Sequence, residues 1–94
     1  MTIIADLEAL GKTEQEVAKK LQELDCKGTS DATDCPVANY LKTLGYENVT
    51  VESDDVFADK DGKRGGTETP LQIAEFITSF DDGNYQFLNK KKEP

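Results

Sequence analysis

The stretch TEQEVAKKLQEL, which begins at Thr13, constrains the fold more than any other part of this chain. Thr13 and Glu16 form a capping box, in which the two side chains satisfy backbone N–H groups at the start of a helix. Val17 and Leu21 then repeat at helical spacing, so that one side of the helix is apolar and has to be covered by the rest of the chain. The pattern predicts an amphipathic helix over residues 14–25.

The stretch SDATDCPVANYL predicts the start of another helix. Asp34 or Thr33 is suited to cap it, and Pro36 is tolerated in a first turn, where its missing N–H would have no partner within the helix. Gly45 supplies the stop signal. We expect this helix over residues 35–44.

Two more helices are expected at the ends of the chain. The stretch TPLQIAEFITSF has Thr69 as a candidate N-cap and Pro70 in the first helical position, and its wide apolar side predicts a core-facing helix over residues 70–80. Near the N-terminus, apolar residues at helical spacing run up to Leu10, and Gly11 is suited to end that helix.

Strand signals lie between the helices. NVTVES alternates and is β-branched, which predicts a strand over residues 48–52, and VFA predicts a short partner strand over 56–58. DKDGKRGG, residues 59–66, is predicted to be a mobile loop. The chain is therefore expected to form one small α+β domain over residues 1–88, with three to four helices packed on a short antiparallel β-hairpin or a three-stranded sheet. A flexible lysine-rich tail is expected over residues 89–94.

Charge and composition limit the function. Nineteen acidic residues against eleven basic ones give a net charge of −8, which disfavours nucleic acids and anionic membranes as partners and favours a protein with a basic surface. The 94 residues include no histidine, so the commonest general base is missing, and we expect no enzyme and no cofactor. The lack of a signal peptide or long apolar run predicts a cytoplasmic protein.

The acidic residues near the predicted hairpin are the first candidate site. A negative surface there would bind a basic groove of a partner, whereas the simpler interpretation is an acidic surface that keeps the protein soluble. The candidate partner-binding residues are Glu52, Asp54, Asp55, Asp59 and Asp61. Secondary candidates are Asp81 and Asp82, at the end of the last predicted helix.

Cys35 is the second candidate site, with Asp34 and Tyr40 near it in sequence. A thiol at a helix start is favoured as a thiolate, but neighbouring carboxylates oppose that effect and no histidine is present to take its proton. Three interpretations stay open: a packed thiol, a reactive or redox thiol, and a disulfide with Cys26. The two-cysteine set is too poor for a metal site.

Two other interpretations of the 59–66 segment are weaker. Asp59, Asp61 and Glu68 fall at calcium-loop spacing, but Phe57 would take the first ligand position, which it cannot fill. Lys60, Lys63 and Arg64 form a small basic patch, but the spacing of the glycines and lysines in this segment is not that of a phosphate-binding loop. Whether this segment binds an ion or a phosphate is left open.

The chain resembles a group of small bacterial and phage-type proteins with no assigned activity. The resemblance rests on GTSDATDCPVANYLK, VTVES and FITSFDDGNYQFL, which fit a Cys-Pro-aliphatic-Ala-x-Tyr-Leu helix start, a short hairpin and a Phe-Asp-x-Gly-x-Tyr ending. It covers residues 14–88 and implies no catalyst. It does imply a shared structural scheme for Cys35, Pro36, Ala38, Tyr40, Phe80 and Gly83.

We therefore expect a small acidic interaction protein. Its concrete form would be a phage or mobile-element accessory inhibitor, of the anti-restriction or anti-CRISPR type, that occludes a basic groove of a host protein. The alternative is a small-ligand or thiol redox protein centred on Cys35. The identity of the partner and the oligomeric state are left open.

Overall fold

Three helices, three consecutive strands and a last helix follow one another over residues 3–89, which are the residues that the computed structural model describes. The elements, in chain order, are α1 (Ile3–Glu8), α2 (Glu14–Glu23), α3 (Pro36–Thr43), β1 (Glu47–Val51), β2 (Asp55–Lys60), β3 (Lys63–Glu68), α4 (Leu71–Asp81) and a final 3₁₀ turn (Gln86–Leu88). The three strands form one antiparallel sheet in the order β1-β2-β3. The expected α+β class is confirmed, in its three-stranded form.

Helix α2 begins as the capping box predicts. Thr13 Oγ1 accepts a hydrogen bond from the backbone N–H of Glu16 at 3.2 Å. The Glu16 carboxylate accepts one in return, from the N–H of Lys12 at 2.8 Å, one residue earlier than the usual partner. Val17 and Leu21 are fully buried, so the apolar side of the helix lies in the core.

Helix α3 begins differently from the prediction. The N-cap is Cys35, whose Sγ accepts the N–H of Ala38 at 3.4 Å, and Pro36 is the first helical residue. The prediction of Asp34 or Thr33 as the cap was wrong. Asp34 lies one residue before the N-cap position, and its carboxylate accepts a hydrogen bond from the side-chain amide of Asn39 at 3.1 Å.

Helix α4 also lacks the predicted cap. Its N-cap is Pro70, which has no side-chain donor or acceptor, and the helix begins at Leu71. Thr69 Oγ1 donates a hydrogen bond to the carbonyl of Glu52 at 2.6 Å, and the Thr69 N–H donates to Asp54 O at 3.0 Å. Thr69 therefore ties the start of α4 to the turn between β1 and β2.

The predicted mobile loop over residues 59–66 is wrong, because this stretch forms a regular hairpin. Strands β2 and β3 pair without interruption from Asp55↔Glu68 to Lys60↔Lys63. Asp61 and Gly62 have φ angles of 55° and 77° and make a two-residue turn. Positive φ at both positions is what a two-residue hairpin of this twist needs, and Asp-Gly is one of its preferred sequences.

The helices cover one side of the sheet. Val49 and Val51 of β1 and Val56 and Ala58 of β2 are buried, in the alternation expected when one side of a sheet faces a core. Helix α1 packs on β3 and α3 packs on β1, while α2 packs mainly on α4. The opposite side of the sheet is left to solvent, with Phe57 at its centre and 43% exposed.

The end of the described chain returns to the connector between α2 and α3. Gly28 forms a parallel bridge with Asn89, and its N–H donates to Leu88 O at 2.8 Å. Of the predicted tail, Asn89 is therefore held, and the remainder, residues 90–94, lies outside the described residues. Over the part of the chain that the structure describes, no helix has the length and apolar character needed to cross a membrane.

An acid-rimmed cleft at one end of the sheet

The sheet separates the predicted acidic residues into two groups. Glu52, Asp54 and Asp55 lie at the turn between β1 and β2, which we call the acidic end of the sheet. Glu68 joins them, because the register places it opposite Asp55. Asp61 lies in the turn at the other end of β2, which at about 3.3 Å per residue is roughly 20 Å away. The five candidates do not form one continuous surface.

At the far end of β2, which we call the hairpin end, Asp59 is already paired. Its carboxylate accepts hydrogen bonds from Asn48 Nδ2 at 2.8 Å and from Arg64 Nη1 at 3.0 Å. The bonds from Asn48 and Arg64 hold the pKa of Asp59 below its usual value. Asp59 is therefore matched by a cation within its own domain, and it is a weaker candidate for binding a partner than the acids at the acidic end.

A cleft opens beside the acidic end, between the β1–β2 turn and the end of α4. Its volume is about 310 Å³, which is at the lower limit for a small-molecule or side-chain site. The rim carries the carboxylates of Glu52, Asp81 and Asp82. The floor is apolar and well packed, with lining residues that include Cys35, Val51, Phe76 and Phe80.

The structure thus brings together residues that the sequence separated by almost fifty positions. Cys35, Glu52, Asp81 and Asp82 all line the same cleft. Its twelve described lining residues include no lysine or arginine. The negative charge on the rim therefore has no internal cation within the cleft.

Asp81 shows the electrostatic character of this cleft. Partial burial and the neighbouring Asp82 carboxylate raise the pKa of Asp81, while a hydrogen bond from Ser30 opposes the shift. The direction is opposite to that of Asp59. A carboxylate whose charge is disfavoured in the free protein gains most when a cation comes near it.

The thiol of Cys35 lies in the floor of the cleft and is 5% exposed. Burial raises its pKa to about 11, because the backbone hydrogen bonds at the start of α3 only partly offset the loss of solvent. The carboxylate that adds to the increase is that of Asp81, whereas the sequence had suggested those of Asp31 and Asp34. At neutral pH Cys35 is a protonated thiol, which does not favour the redox alternative.

Cys26 and Cys35 are both buried and both free, so the bridge that the sequence leaves open is not formed in this structure. Burial also raises the pKa of Cys26, with the Asp25 carboxylate adding to the shift. Tyr40 lies elsewhere, with its hydroxyl donating to the carbonyl of Asp6 at 2.9 Å. Neither Tyr40 nor Asp34 lines the acid-rimmed cleft.

The basic patch lies at the hairpin end of the sheet, around the turn between β2 and β3. Lys60, Lys63 and Arg64 border a second cavity of about 420 Å³, which also touches Ile3 and Ile4 of α1. The ammonium group of Lys60 lies 4.6 Å from the centre of the Tyr46 ring. Within residues 3–89, no group of three or more potential metal-ligating side chains is placed to hold an ion.

Sequence reasoning missed two parts of the site. It did not include Glu68 in the acidic group, although the Asp-Gly pair at residues 61–62 was a hairpin signal from which the opposition of Asp55 and Glu68 follows. It also placed Phe80 on the core-facing side of the last helix and did not predict that Phe80 lines a cleft. No local signal shows that the end of α4 lies beside the β1–β2 turn, because that contact depends on the whole fold.

The chain was compared with profiles of protein families, with curated proteins and with solved structures, and none of the three comparisons finds a match. The resemblance to small bacterial and phage-type proteins therefore stays a prediction.

Proposed function

We propose that this protein is a non-enzymatic binding protein that takes a lysine or arginine side chain of a basic protein partner into the acid-rimmed cleft. The observation that carries the proposal is the combination of three rim carboxylates with an apolar floor and no internal cation. The floor fits the hydrocarbon part of such a side chain, and the rim fits its charged end.

The rest of the acidic end extends the same negative surface beyond the cleft. Asp54, Asp55 and Glu68 are exposed, and none of them lines the cleft. A basic partner surface centred on one inserted side chain would meet these carboxylates at its edge, where they increase the association rate more than the final affinity.

The specific form of this proposal is an inhibitor from a phage or mobile element, of the anti-restriction or anti-CRISPR type. Such a protein would cover a basic groove that otherwise holds nucleic acid. The net charge of −8 supports this form, because it repels the nucleic acid while attracting the groove that binds it.

The first test uses the smallest ligand that carries the proposed chemistry. N-acetyl-arginine methylamide is titrated into ¹⁵N-labelled protein, and N-acetyl-citrulline methylamide, which has nearly the same shape and no charge, serves as the matched ligand control. We expect the arginine compound to shift amide signals around Glu52, Ser53, Asp81 and Asp82, and the citrulline compound to leave them in place. Shifts scattered over the whole surface, or equal for both compounds, would sink the proposal.

A pair of variants separates the cleft from general acidity. The cleft variant carries Glu52→Gln, Asp81→Asn and Asp82→Asn, and a control variant carries Asp59→Asn and Asp61→Asn at the hairpin end. We expect the cleft variant to lose arginine binding and the control variant to keep it. The same pair, used in capture of a partner from the native host, tests whether that partner binds at the cleft.

A further inference from the structure

The two edges of the sheet are very different. One edge strand is β1, whose pairing with β2 has a register shift between Glu47 and Thr50. The Val51 N–H of this strand already donates a hydrogen bond to Ala32 O at 2.9 Å. At the β3 edge six residues run without a proline or a break in register, and within residues 3–89 no strand pairs with their outer side. Proteins usually protect such an edge, because its free backbone groups are a template for another strand.

The hydrogen-bonding pattern identifies which backbone groups of β3 are free. In an antiparallel pair, alternate residues point their N–H and C=O groups toward the neighbouring strand. Lys60 and Lys63 flank the two-residue turn and so face each other, and Thr69 N–H still points back to Asp54 O. The alternation therefore turns the backbone groups of Arg64, Gly66 and Glu68 toward the open edge, and all three residues are exposed.

We propose that β3 pairs with β3 of a second copy of this chain, antiparallel and around a two-fold axis at Gly66, to make a continuous six-stranded sheet. This inference does not depend on the proposed function. It uses the β3 edge and no residue that lines the cleft, and Glu68 is the one residue that it shares with the acidic end.

Symmetry restricts the register of such a pair. A two-fold axis perpendicular to the sheet has to place a residue opposite its own copy, since opposed residues must project from the same side. With Gly66 opposite Gly66, Arg64 of each copy lies opposite Glu68 of the other. These are also the residues whose backbone groups point outward, so the pairing forms about six backbone hydrogen bonds and two opposite-charge pairs.

The charges of the single chain favour this register. Glu68 lies opposite Asp55, and like charges directly across a sheet destabilise it. In the described residues the hydrogen bonds of the Arg64 side chain come from Nη1 alone, to Asp59 and the Asn48 carbonyl. The guanidinium carbon also lies 5.7 Å from the centre of the Phe57 ring, and the side chain is 51% exposed. Its remaining N–H groups are therefore available to the Glu68 carboxylate of a second copy.

The glycine at the axis also fits close pairing. A Cβ atom added to Gly66 would lie 2.6 Å from Cδ1 of Phe57, so the Phe57 ring covers this position on the solvent side of the sheet. Two copies would place two such rings beside one Gly66–Gly66 pair. Ring packing over glycine is a known way to stabilise a sheet at such a residue.

The overall charge does not prevent the pairing, because the contact lies at the most basic part of the surface. Lys63 and Arg64 belong to β3 itself, and Lys60 lies opposite Lys63 across the hairpin turn. The antiparallel arrangement also sends the two acidic ends to opposite ends of the six-stranded sheet. Both acid-rimmed clefts would remain open.

Amide hydrogen exchange tests the register residue by residue. At low micromolar concentration we expect the amides of Lys63, Gly65 and Thr67 to be protected and those of Arg64, Gly66 and Glu68 to exchange freely. At millimolar concentration the second group should become protected as well, while sedimentation equilibrium shows a rise to the dimer mass. A monomer mass over this whole range, or free exchange of the second group in the dimer, would overturn the proposal.

A complementary charge swap tests the proposed partners. In a dimer of Arg64→Glu, each new glutamate lies opposite Glu68 of the other copy, and in a dimer of Glu68→Arg each new arginine lies opposite Arg64. Because both dimers contain two like-charge pairs, each variant alone should raise the dimer dissociation constant by about tenfold or more at low salt. A mixture of the two variants restores opposite charges at both positions. We expect the mixture to form heterodimers with an affinity near that of the wild-type protein.

Lys19→Glu, on the exposed side of α2, is the control for a change in net charge and should dimerise as the wild-type protein does. Circular dichroism and thermal unfolding of each variant show whether it has folded. Dimers that persist in both single variants, or a mixture no stronger than either variant alone, would place the contact elsewhere.

Discussion

The acidic end and the hairpin end of the sheet carry similar residues and differ in how those residues are matched. At the hairpin end, Asp59 is held by Arg64 and Asn48, and Lys60 covers the Tyr46 ring. At the acidic end, Glu52 and Asp81 face a cleft with no lysine or arginine among its lining residues. Two groups of acids that look alike in sequence therefore differ in whether a neighbouring cation balances them.

The difference teaches that acidic composition alone does not locate a binding surface. A carboxylate paired across a strand contributes little to attracting a partner, because its charge is already balanced nearby. At the cleft, partial burial disfavours the charged form of Asp81, and no lysine or arginine among the described residues lines the cleft to offset this. The unbalanced acids are therefore the ones that a basic partner would bind.

The largest expected effect comes from removing the floor of the cleft. Phe80 is 2% exposed and stacks on Phe76 with ring centres 5.8 Å apart. We expect Phe80→Ala to lower the free energy of unfolding by about 3–5 kcal/mol, through lost burial and the cavity left behind. Urea unfolding measures this, with Phe57→Ala on the half-exposed solvent side of the sheet as the control. Equal losses for the two variants would show that the cleft floor is not a packed part of the core.

The next effect is an alkaline loss of stability at Cys35. Its pKa rises from 9.0 in the unfolded chain to about 11 in the fold, so the unfolded chain releases its proton first as pH rises. The contribution of this thiol to the free energy of unfolding is fully present below pH 9 and is lost as pH rises through 11. The loss is about 2–3 kcal/mol. The measurement is the difference in unfolding free energy between the wild-type protein and Cys35→Ala from pH 8 to 11. A difference that stays constant would contradict the buried thiol.

At the hairpin end, Tyr46→Phe should cost less. The Tyr46 hydroxyl donates to Asp6 Oδ2 at 2.6 Å, and Asp6 is 5% exposed. Burial, helped by the bond to Asp6, raises the pKa of Tyr46 to about 12, so the hydroxyl remains a donor over the usual pH range. Its removal leaves a buried carboxylate short of a donor, at a cost of about 1–3 kcal/mol.

Tyr85→Phe is the matched control for this loss of a hydroxyl, because no hydrogen bond of the Tyr85 hydroxyl lies within the described residues. Thermal or urea unfolding of both variants gives the comparison. We expect the control to stay near the wild-type stability. A Tyr46→Phe variant that does the same would show that Asp6 does not depend on this bond.

The smallest expected effect is a difference in pKa between one carboxylate at each end of the sheet, Asp81 and Asp59. Side-chain ¹³C NMR should find Asp81 titrating above 3.8 and Asp59 below it. Asp81 therefore favours the fold at low pH and loses this contribution as pH rises, so Asp81→Asn should be neutral or slightly stabilising at pH 7. Asp59 favours the fold above its usual pKa and loses this contribution on acidification, so Asp59→Asn should be slightly destabilising at pH 7. Shifts in the same direction at both sites would remove the distinction between the ends.

Much of the fold could be predicted from local signals. The capping box at Thr13 and Glu16 identified α2, and the alternation in NVTVES identified β1, because both patterns depend on residues only a few positions apart. Strand β3 was missed because its Gly-Gly pair resembles a loop, although the Asp-Gly turn before it was a usable hairpin signal. The cap of α3 was missed because a cysteine is not among the usual N-cap residues.

The candidate site was less predictable than the fold. Cys35 and Asp81 were each singled out, but for separate reasons and at separate places. Their meeting in one cleft depends on the packing of α4 beside the β1–β2 turn, where Thr69 bonds to Glu52. Contacts between positions so far apart in sequence leave no local pattern.

The α+β class, most of the helices, the negative charge and the lack of a histidine can be predicted from the residues alone, because they follow from composition and from the periods of helix and strand. Which acids are balanced by a cation depends on the packing of the folded chain. Strand register placed Arg64 opposite Asp59, and helix packing placed Glu52 and Asp81 at the same cleft over an apolar floor. Charge is a property of the residue, but the environment that makes it available to a partner is a property of the fold.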